Sequence, residues 1–239
     1  MKCSKLMKEA LERYKELDNF LENYVMSSKE INQALYSNDK ELHKIVEQNL
    51  ERLPKYKGFV YRGTALTNEQ FSKLKPGGRF KLNFIGSTSK DKGMAEDFII
   101  DRGLTNNDNP VLFKILDSRG DGLRDITEFS DFEDEVLLKP SQALEVFSIE
   151  PYNFNYTPKE YKYKTIDEAI LRYRLSDSFR RQRDAGILDD EDIIRMFKTQ
   201  YNKYHNTKLI YLKTIKGAVP ALGVIGLMTS INKQKTETR

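Results

Sequence analysis

Two carboxylates, Glu133 and Glu135, stand one residue apart immediately before the apolar run Val136–Leu138. The run predicts a short buried strand, and side chains at positions i and i+2 of a strand share one face. Two like charges on one face raise the pKa of at least one carboxyl group unless a cation or a polar ligand lies between them. The pair is therefore a candidate site, although a solvated acidic strand end is the commoner explanation of an isolated pair.

Two further polar motifs lie upstream, each beside a β-prone run of sequence. The first is Arg62 with Gly63, which close a short β-prone run, and the second is the triplet Ser87-Thr88-Ser89. Taken singly, Arg62 is a surface arginine after a strand and the triplet is a polar turn, because such short motifs recur by chance. The order and separation of the three motifs carry more weight than any one of them does.

The elements that position these motifs can be predicted from periodicity and capping signals. Apolar residues at helical spacing predict a helix over 5–24, and capping-box spacings predict helices near 28–36 and 39–52. Short strands after a helical lobe predict an α+β domain whose sheet is mostly antiparallel. The predicted strands are 58–63, 79–84, 111–116, 135–138 and 143–149, with helices at 67–74 and 92–100 and a polar loop at 105–110.

The last part of the chain, residues 151–239, is predicted to be a largely helical extension of a domain formed by residues 1–150. A linker rich in Tyr, Asn and Lys covers 152–163, and helical periodicity follows over 166–179 and 189–204. The uncharged run 217–231 is shorter than the roughly 20 apolar residues of a membrane helix. A buried segment or an oligomer contact is expected there rather than membrane association.

Composition narrows the classes of function. The 239 residues hold 40 Lys and Arg against 36 Asp and Glu, and this mixed charge of +4 contains no basic block, so no nucleic-acid partner is expected. The lone Cys3 excludes an intramolecular disulfide, and His43 and His205 are too few for a Cys/His metal site. Residues 1–25 lack an apolar signal-peptide region, which predicts a cytoplasmic protein.

Together the three motifs resemble the arginine, Ser-Thr-Ser and E-x-E signature of the R-S-E class of mono-ADP-ribosyltransferases, which includes cholera-toxin-like and clostridial-binary-toxin-like enzymes. The resemblance covers roughly residues 1–150. It implies the ADP-ribosyltransferase fold, in which an N-terminal helical lobe precedes a mostly antiparallel two-sheet β core. It also implies NAD as a substrate, with no metal.

The resemblance assigns a role to each motif. Glu135 is expected to bind the 2′-hydroxyl of the nicotinamide ribose and to stabilise an oxocarbenium-like transition state. Arg62 is expected to bind the NAD phosphate, and Ser87 to hold the ribose and brace Glu135. The rest of the expected NAD-binding set is Gly63, Thr88 and Ser89.

The acceptor depends on the first carboxylate of the pair. In the family this position tends to be Glu where a guanidinium is modified and Gln where another group is modified. Glu133 therefore predicts a protein arginine as the acceptor, which the carboxylate would orient and deprotonate. Phe132 matches a loop that contacts the target protein in this family, although burial of Phe132 explains the residue equally well.

Two alternatives remain open from the sequence. An NAD glycohydrolase would use the same site with water as the acceptor. A structural or interaction protein of a virion or toxin complex would carry the transferase lobe, with residues 151–239 binding an assembly partner. The expected setting is the cytoplasm of a host cell, reached as a phage-encoded modifier of host proteins or as a toxin delivered by other machinery.

Overall fold

The computed structural model describes residues 16–36, 40–101, 108–129, 134–186 and 188–216. Seven α-helices lie within these ranges: α1 Leu17–Tyr36, α2 Lys40–Arg52, α3 Asn68–Ser72, α4 Lys92–Asp101, α5 Ile166–Arg174, α6 Asp177–Asp184 and α7 Asp190–Asn206. Eight strands accompany them: β1 Gly58–Thr67, β2 Arg79–Lys81, β3 Gly86–Ser89, β4 Asp108–Asp117, β5 Leu123–Asp125, β6 Glu135–Leu138, β7 Ala143–Pro151 and β8 Lys208–Thr214.

The strands form one hydrogen-bonded ladder in the order β2-β7-β8-β4-β1-β3-β6-β5. Within the described ranges, β4 and β8 are the one parallel pair, and all other neighbours are antiparallel. The β1–β3 junction consists of a single residue pair, Tyr61 with Ser89. The ladder therefore divides at this junction into a five-stranded part and a three-stranded part, where the family resemblance implied two sheets.

A shared apolar core joins the two parts of the ladder. Val60, Phe113 and Leu212 come from the five-stranded part, and Val136 and Leu138 come from the three-stranded part. All five side chains are almost completely buried. Because successive side chains of a strand point to opposite faces, Val136 and Leu138 of β6 pack in this core while Leu137 packs on the other face of the sheet.

The N-terminal helical lobe packs on the opposite face of the three-stranded part. Buried side chains of α1 and α2 form a cluster that includes Leu137 of β6 and Ile126 after β5. The lobe precedes the sheet in the chain, as expected, but one predicted boundary is wrong, because α1 continues as a helix through the break expected between 24 and 28. Residues 5–15 of the predicted helix 5–24 lie outside the described ranges.

The contact between β1 and α4 explains why residue 63 is a glycine. A Cβ atom placed on Gly63 would lie 1.9 Å from the Ala95 carbonyl oxygen and 2.9 Å from the Cγ1 atom of Ile99. Ala95 and Ile99 are buried in this contact, whereas Phe98 on the same helix is exposed. The close approach of α4 therefore depends on the missing side chain.

A buried carboxylate organises the turn between β4 and β5. Asp117 accepts backbone hydrogen bonds from Gly122 (2.7 Å), Gly120 (2.9 Å) and Arg119 (3.1 Å), and a hydroxyl bond from Thr214 of β8 (2.9 Å). Burial alone would raise the pKa of the Asp117 carboxyl group, but these hydrogen bonds outweigh it and lower the pKa. The ionised carboxylate thus ties the turn to the end of β8.

The chain beyond residue 150 contributes to both helices and sheet. Its helices α5, α6 and α7 enclose their own apolar cluster, which includes Ala169, Phe179 and Phe197. Its last described strand, β8, lies between β7 and β4 in the ladder. The domain boundary expected between residues 150 and 151 therefore falls within β7, in the five-stranded part of the sheet. Residues 1–150 alone would lack β8, an inner strand of that part.

A continuous series of aromatic rings joins the cluster of α5, α6 and α7 to α4. Ring centroids lie 4.1–5.7 Å apart along a path through Tyr152, Phe154, Tyr204, Tyr161, Phe197, Tyr173 and Phe179. The phenol of Tyr152 donates to the Glu96 carboxylate of α4. The extension is thereby packed against the helix that contacts β1.

The buried amine of Lys203, on α7, also contacts α4. Lys203 is 1% exposed, and its Nζ atom donates to the Ile100 carbonyl oxygen, which also accepts from Gln200. Burial lowers the pKa of the Lys203 amine to about 8, and the nearby Asp101 carboxylate opposes this shift.

Other predicted element boundaries differ from those in the structure, because capping hydrogen bonds and strand pairing, rather than apolar periodicity, determine where these elements begin and end. The strand predicted over 79–84 ends at Lys81. The helix predicted over 166–179 is divided into α5 and α6 because Ser176 accepts a capping hydrogen bond from Phe179. Residues 108–110 of the predicted polar loop belong to β4. None of the described helices combines the length and apolar character needed to span a bilayer; the run 217–231 lies outside the described residues.

Candidate active site

The Ser-Thr-Ser triplet and the second carboxylate lie on adjacent strands. The β3–β6 register pairs Ser89 with Glu135, Thr88 with Val136 and Ser87 with Leu137. Residues directly opposite in an antiparallel pair point to the same face. Ser89, rather than Ser87, is thus the direct cross-strand neighbour of Glu135, and Ser87 is its diagonal neighbour on that face.

Thr88 supports the two strands from the other face. It is buried, and its hydroxyl donates to the Val136 carbonyl oxygen at 2.5 Å. The hydroxyl of Ser89 accepts a hydrogen bond from the Asp91 amide at 3.0 Å, which fixes the turn that leads into α4. The triplet is therefore a largely buried strand segment and not a solvated turn.

Arg62 connects β1 to the triplet. Its Nη1 atom donates to the Ser87 carbonyl oxygen at 2.5 Å, and its guanidinium carbon lies 5.5 Å from the centre of the Phe84 ring. The side chain is half-buried, which is not the environment of a surface arginine after a strand. Sequence patterns gave no signal for Phe84, which supports the flat face of the guanidinium group.

The described residues of the three predicted motifs thus meet on neighbouring strands. Arg62 on β1, Ser87 on β3 and Glu135 on β6 occupy consecutive strands of the ladder. Gly63 lies next to Arg62, where its lack of a side chain is needed for contact with α4. Glu133 and Phe132 lie outside the described residues, so their predicted roles stay predictions.

A lysine that sequence reasoning missed lies at the end of β3. The Nζ atom of Lys90 is 2.8 Å from Oδ2 of Asp125 and 2.9 Å from the Thr127 hydroxyl, while its amide donates to the Asp134 carbonyl oxygen at 3.0 Å. Burial alone would raise the pKa of the Asp125 carboxyl group, but hydrogen bonds from Lys90 and Thr127 lower it overall. Only a known strand pairing could reveal this contact, because 35 residues separate the two charged groups in sequence.

The site contains groups suited to a dinucleotide and to a cationic transition state. A guanidinium can donate to phosphate oxygens, serine hydroxyls can bind a ribose, and a carboxylate can stabilise positive charge. Among the described residues, no group of three or more His, Cys, Asp and Glu side chains is arranged to hold a metal ion.

Comparison with solved structures assigns this architecture to a known fold. The chain has the ADP-ribosyltransferase fold, as expected from the sequence. The Vis toxin, an ADP-ribosyltransferase from Vibrio splendidus, matches with a TM-score of 0.56 and 18% sequence identity, over 95% of this chain and 94% of Vis. No protein-family model and no curated protein matches the sequence.

Two further structures share the fold. Vis in complex with agmatine matches with a TM-score of 0.50 and 20% identity, over 95% of this chain and 82% of that chain. The enzymatic component C2-I of the C2 toxin from Clostridium botulinum also matches with a TM-score of 0.50, at 17% identity, over 87% of this chain and 45% of that chain. Both alignments extend past residue 150, since each covers more of this chain than its first 150 residues.

Proposed function

We propose that this chain is an NAD-dependent mono-ADP-ribosyltransferase that transfers ADP-ribose from NAD to an arginine of a target protein and releases nicotinamide. The observation that carries the proposal is the meeting of Arg62, the Ser-Thr-Ser triplet and Glu135 on the consecutive strands β1, β3 and β6. This arrangement occurs within a fold shared with ADP-ribosyltransferases.

In the proposed complex, NAD lies over the neighbouring strands β1 and β3, which carry Arg62 and Ser87. A guanidinium has five N–H donors in a planar fork, so Arg62 can hold the Ser87 carbonyl and also donate to the phosphates. Ser87 would bind the nicotinamide ribose. Ser89, which the register pairs with Glu135, would orient that carboxylate, a role that the family resemblance had assigned to Ser87. Thr88 and Gly63 would act indirectly, through the strand pairing and the α4 contact described above.

Glu135 would stabilise the charge that develops during cleavage. The bond between the ribose C1′ atom and the nicotinamide nitrogen breaks, its electron pair leaves with nicotinamide, and positive charge grows on the ribose. A carboxylate fixed at the end of a paired strand needs little reorganisation as that charge appears. Glu135 is half-buried, so its field is less screened than that of a fully exposed group.

Glu133 would select the acceptor. A nitrogen of the arginine guanidinium attacks C1′, and the proton released from that nitrogen passes to the Glu133 carboxylate. Agmatine carries a guanidinium group, and its presence in a complex with Vis supports a guanidinium acceptor in this fold. Similarity to the toxins Vis and C2-I supports action as a toxin or effector, which we propose takes place in a host cytoplasm.

Target recognition would involve the residues that precede Glu133. Phe129 ends a short 3-10 helix, Thr127–Phe129, and is 44% exposed. An exposed aromatic side chain beside an active site is a suitable anchor for a partner protein. Phe129 therefore joins Phe132 as a proposed contact with the target protein.

The acceptor assignment is tested with NAD labelled in its adenylate half. Wild-type protein is expected to transfer label to agmatine and to proteins of a host-cell lysate. The Glu133→Gln variant is expected to lose transfer while still releasing nicotinamide, since only the acceptor step requires this carboxylate.

Two other results would change the assignment. Nicotinamide release by wild type without labelled agmatine or protein identifies an NAD glycohydrolase. Transfer that persists in Glu133→Gln with non-guanidinium acceptors refutes arginine specificity. A pull-down in which the full chain recovers an assembly partner without any turnover of NAD would support the interaction-protein alternative instead.

A further inference from the structure

A single lysine connects three strands at the edge of the candidate active site. Lys90 directly follows Ser89, the partner of Glu135, and its amide donates to the Asp134 carbonyl oxygen at 3.0 Å. This bond continues the β3–β6 pairing one step beyond the last paired residues. The Lys90 backbone thus marks where the chain enters β6.

The side chain of Lys90 reaches the third strand, β5. Its Nζ atom lies 2.8 Å from the Asp125 carboxylate, at the end of β5, and 2.9 Å from the Thr127 hydroxyl. Thr127 in turn donates to Oδ1 of Asp125 from its hydroxyl (2.7 Å) and from its amide (3.1 Å). The three side chains form a closed set of contacts, which we call the Lys90 clamp.

Lys90 contacts both ends of one stretch of chain, the first end through its side chain and the second through its backbone amide. Asp125 and Thr127 lie at the start of the segment 126–134, and Asp134, bonded to the Lys90 amide, lies at its end. That segment carries Phe129, Phe132 and Glu133, which the proposed function assigns to the target protein and the acceptor.

The environment of the clamp favours a contact stronger than an ordinary surface ion pair. The side chains of Lys90 and Asp125 are each 27% exposed, and the ammonium group also lies 5.4 Å from the centre of the Tyr56 ring. Partial burial reduces screening, and charge-assisted hydrogen bonds are about twice as strong as neutral ones. Removal of the amine would leave Asp125 half-buried with one partner fewer.

We propose that Lys90 is a positioning residue that fixes residues 126–129, the described start of this segment, for transfer to the guanidinium acceptor, while contributing little to NAD cleavage. This inference rests on the proposed function. Glu135 itself is held by backbone pairing of β6 with β3, from Ser89 with Glu135 to Gly86 with Leu138, and that pairing does not involve the Lys90 side chain. The start of the segment, by contrast, is held by that side chain.

The test compares Lys90→Met with wild type, using agmatine as the acceptor. The variant keeps the length of the side chain and removes its charge. We expect kcat/KM for agmatine to fall about tenfold and nicotinamide release in the absence of acceptor to stay within about twofold, as expected for loss of one or two charge-assisted hydrogen bonds outside the cleavage site. Lys90→Arg, which restores the charge, is expected to recover most of the transfer rate.

Lys73→Met is a matched control. It also removes a lysine whose Nζ atom lies 2.7 Å from a carboxylate, that of Glu69, but this pair is exposed on α3. It is expected to change neither activity. A fall of transfer and cleavage by the same factor in Lys90→Met, or no change in either, overturns the inference.

Hydrogen exchange separates this inference from the proposed function. Amides of residues 126–129 are expected to exchange faster in Lys90→Met than in wild type and in Lys73→Met, because the Lys90 side chain holds Thr127 and the adjoining Asp125. Unchanged exchange overturns the inference. A wild-type chain that neither cleaves NAD nor labels agmatine refutes the proposed function instead, and exchange alone then decides whether Lys90 holds the segment.

Discussion

Substitution of Gly63 by alanine tests how α4 positions the strand that carries Arg62. The new Cβ atom would lie 1.9 Å from the Ala95 carbonyl oxygen, a backbone atom that no rotamer change can move. Ordinary carbon–oxygen contacts exceed about 3 Å, so α4 would have to retreat by more than about 1 Å and lose packing against β1.

We expect a cost of about 3 kcal/mol, at the upper end for overpacking because backbone must shift. In a chain of this size each kcal/mol lowers the melting temperature by about 2–4 °C, so Gly63→Ala should melt roughly 6–12 °C below wild type. Because Arg62 adjoins the displaced contact, nicotinamide release should fall as well, even at temperatures where the variant is folded.

Differential scanning calorimetry and circular dichroism measure the melting temperature, and nicotinamide release is measured well below it. Gly93→Ala is the control, since it lies in the same helix and its Cβ atom would approach no atom closer than 3.3 Å. Alanine is also the better helix former, which should offset any small crowding. A melting temperature for Gly63→Ala equal to that of Gly93→Ala would refute the close approach of α4 to β1.

Two predictions concern stability and pH. In wild type the hydrogen-bond donors around Asp117 are divided between its two carboxylate oxygens, and Asp117→Asn leaves them a single oxygen. We therefore expect the free energy of unfolding, measured in urea at pH 7, to fall by about 3 kcal/mol. The pKa of Asp117 is lower in the folded chain than its unfolded value of about 3.8, so the ionised carboxylate stabilises the fold above that value, and this stabilisation is lost as pH falls through the folded pKa. The difference in free energy of unfolding between wild type and Asp117→Asn should therefore be constant down to about pH 4 and shrink below it. A difference that stays constant down to pH 3 would contradict an ionised Asp117. The pKa of the Lys203 amine is about 8 in the folded chain, against 10.5 in the unfolded chain. Between these two values the unfolded chain binds more protons, so the folded state becomes more stable as pH rises. The free energy of unfolding of wild type should therefore increase by up to about 3 kcal/mol relative to that of Lys203→Met between pH 8 and pH 10.5. Unfolding measured across that range with no relative gain would show that the amine is not desolvated.

Local signals were sufficient for much of the fold. A capping box of Thr67 with Gln70 opens α3, where a helix over 67–74 was predicted, and Asp189 caps α7 through the Asp192 amide. Helices with periodic apolar faces and clear caps could be read from sequence because both signals are local. Glu135 similarly begins β6 where the apolar run begins.

What the sequence did not reveal depends on long-range pairing. The strand β8 follows α7 after a single residue and has a lysine near each end, Lys208 and Lys213, yet only its parallel pairing with β4 places it inside the sheet. Likewise, the placement of Ser89 opposite Glu135 is a matter of register, which a motif cannot specify. Lys90 and Asp125 meet for the same reason.

The most direct measurement of the central claim is nicotinamide release from NAD by wild type and by Glu135→Gln, with Glu145→Gln as the control. Glu145 lies on β7 and pairs with Arg79 in an exposed ion pair, so its substitution should leave the rate unchanged. Removing one preorganised group that stabilises the transition state costs about 3 kcal/mol or more, so Glu135→Gln should release nicotinamide at least about a hundredfold more slowly. A Glu135→Gln variant as active as Glu145→Gln would contradict the assignment of this site.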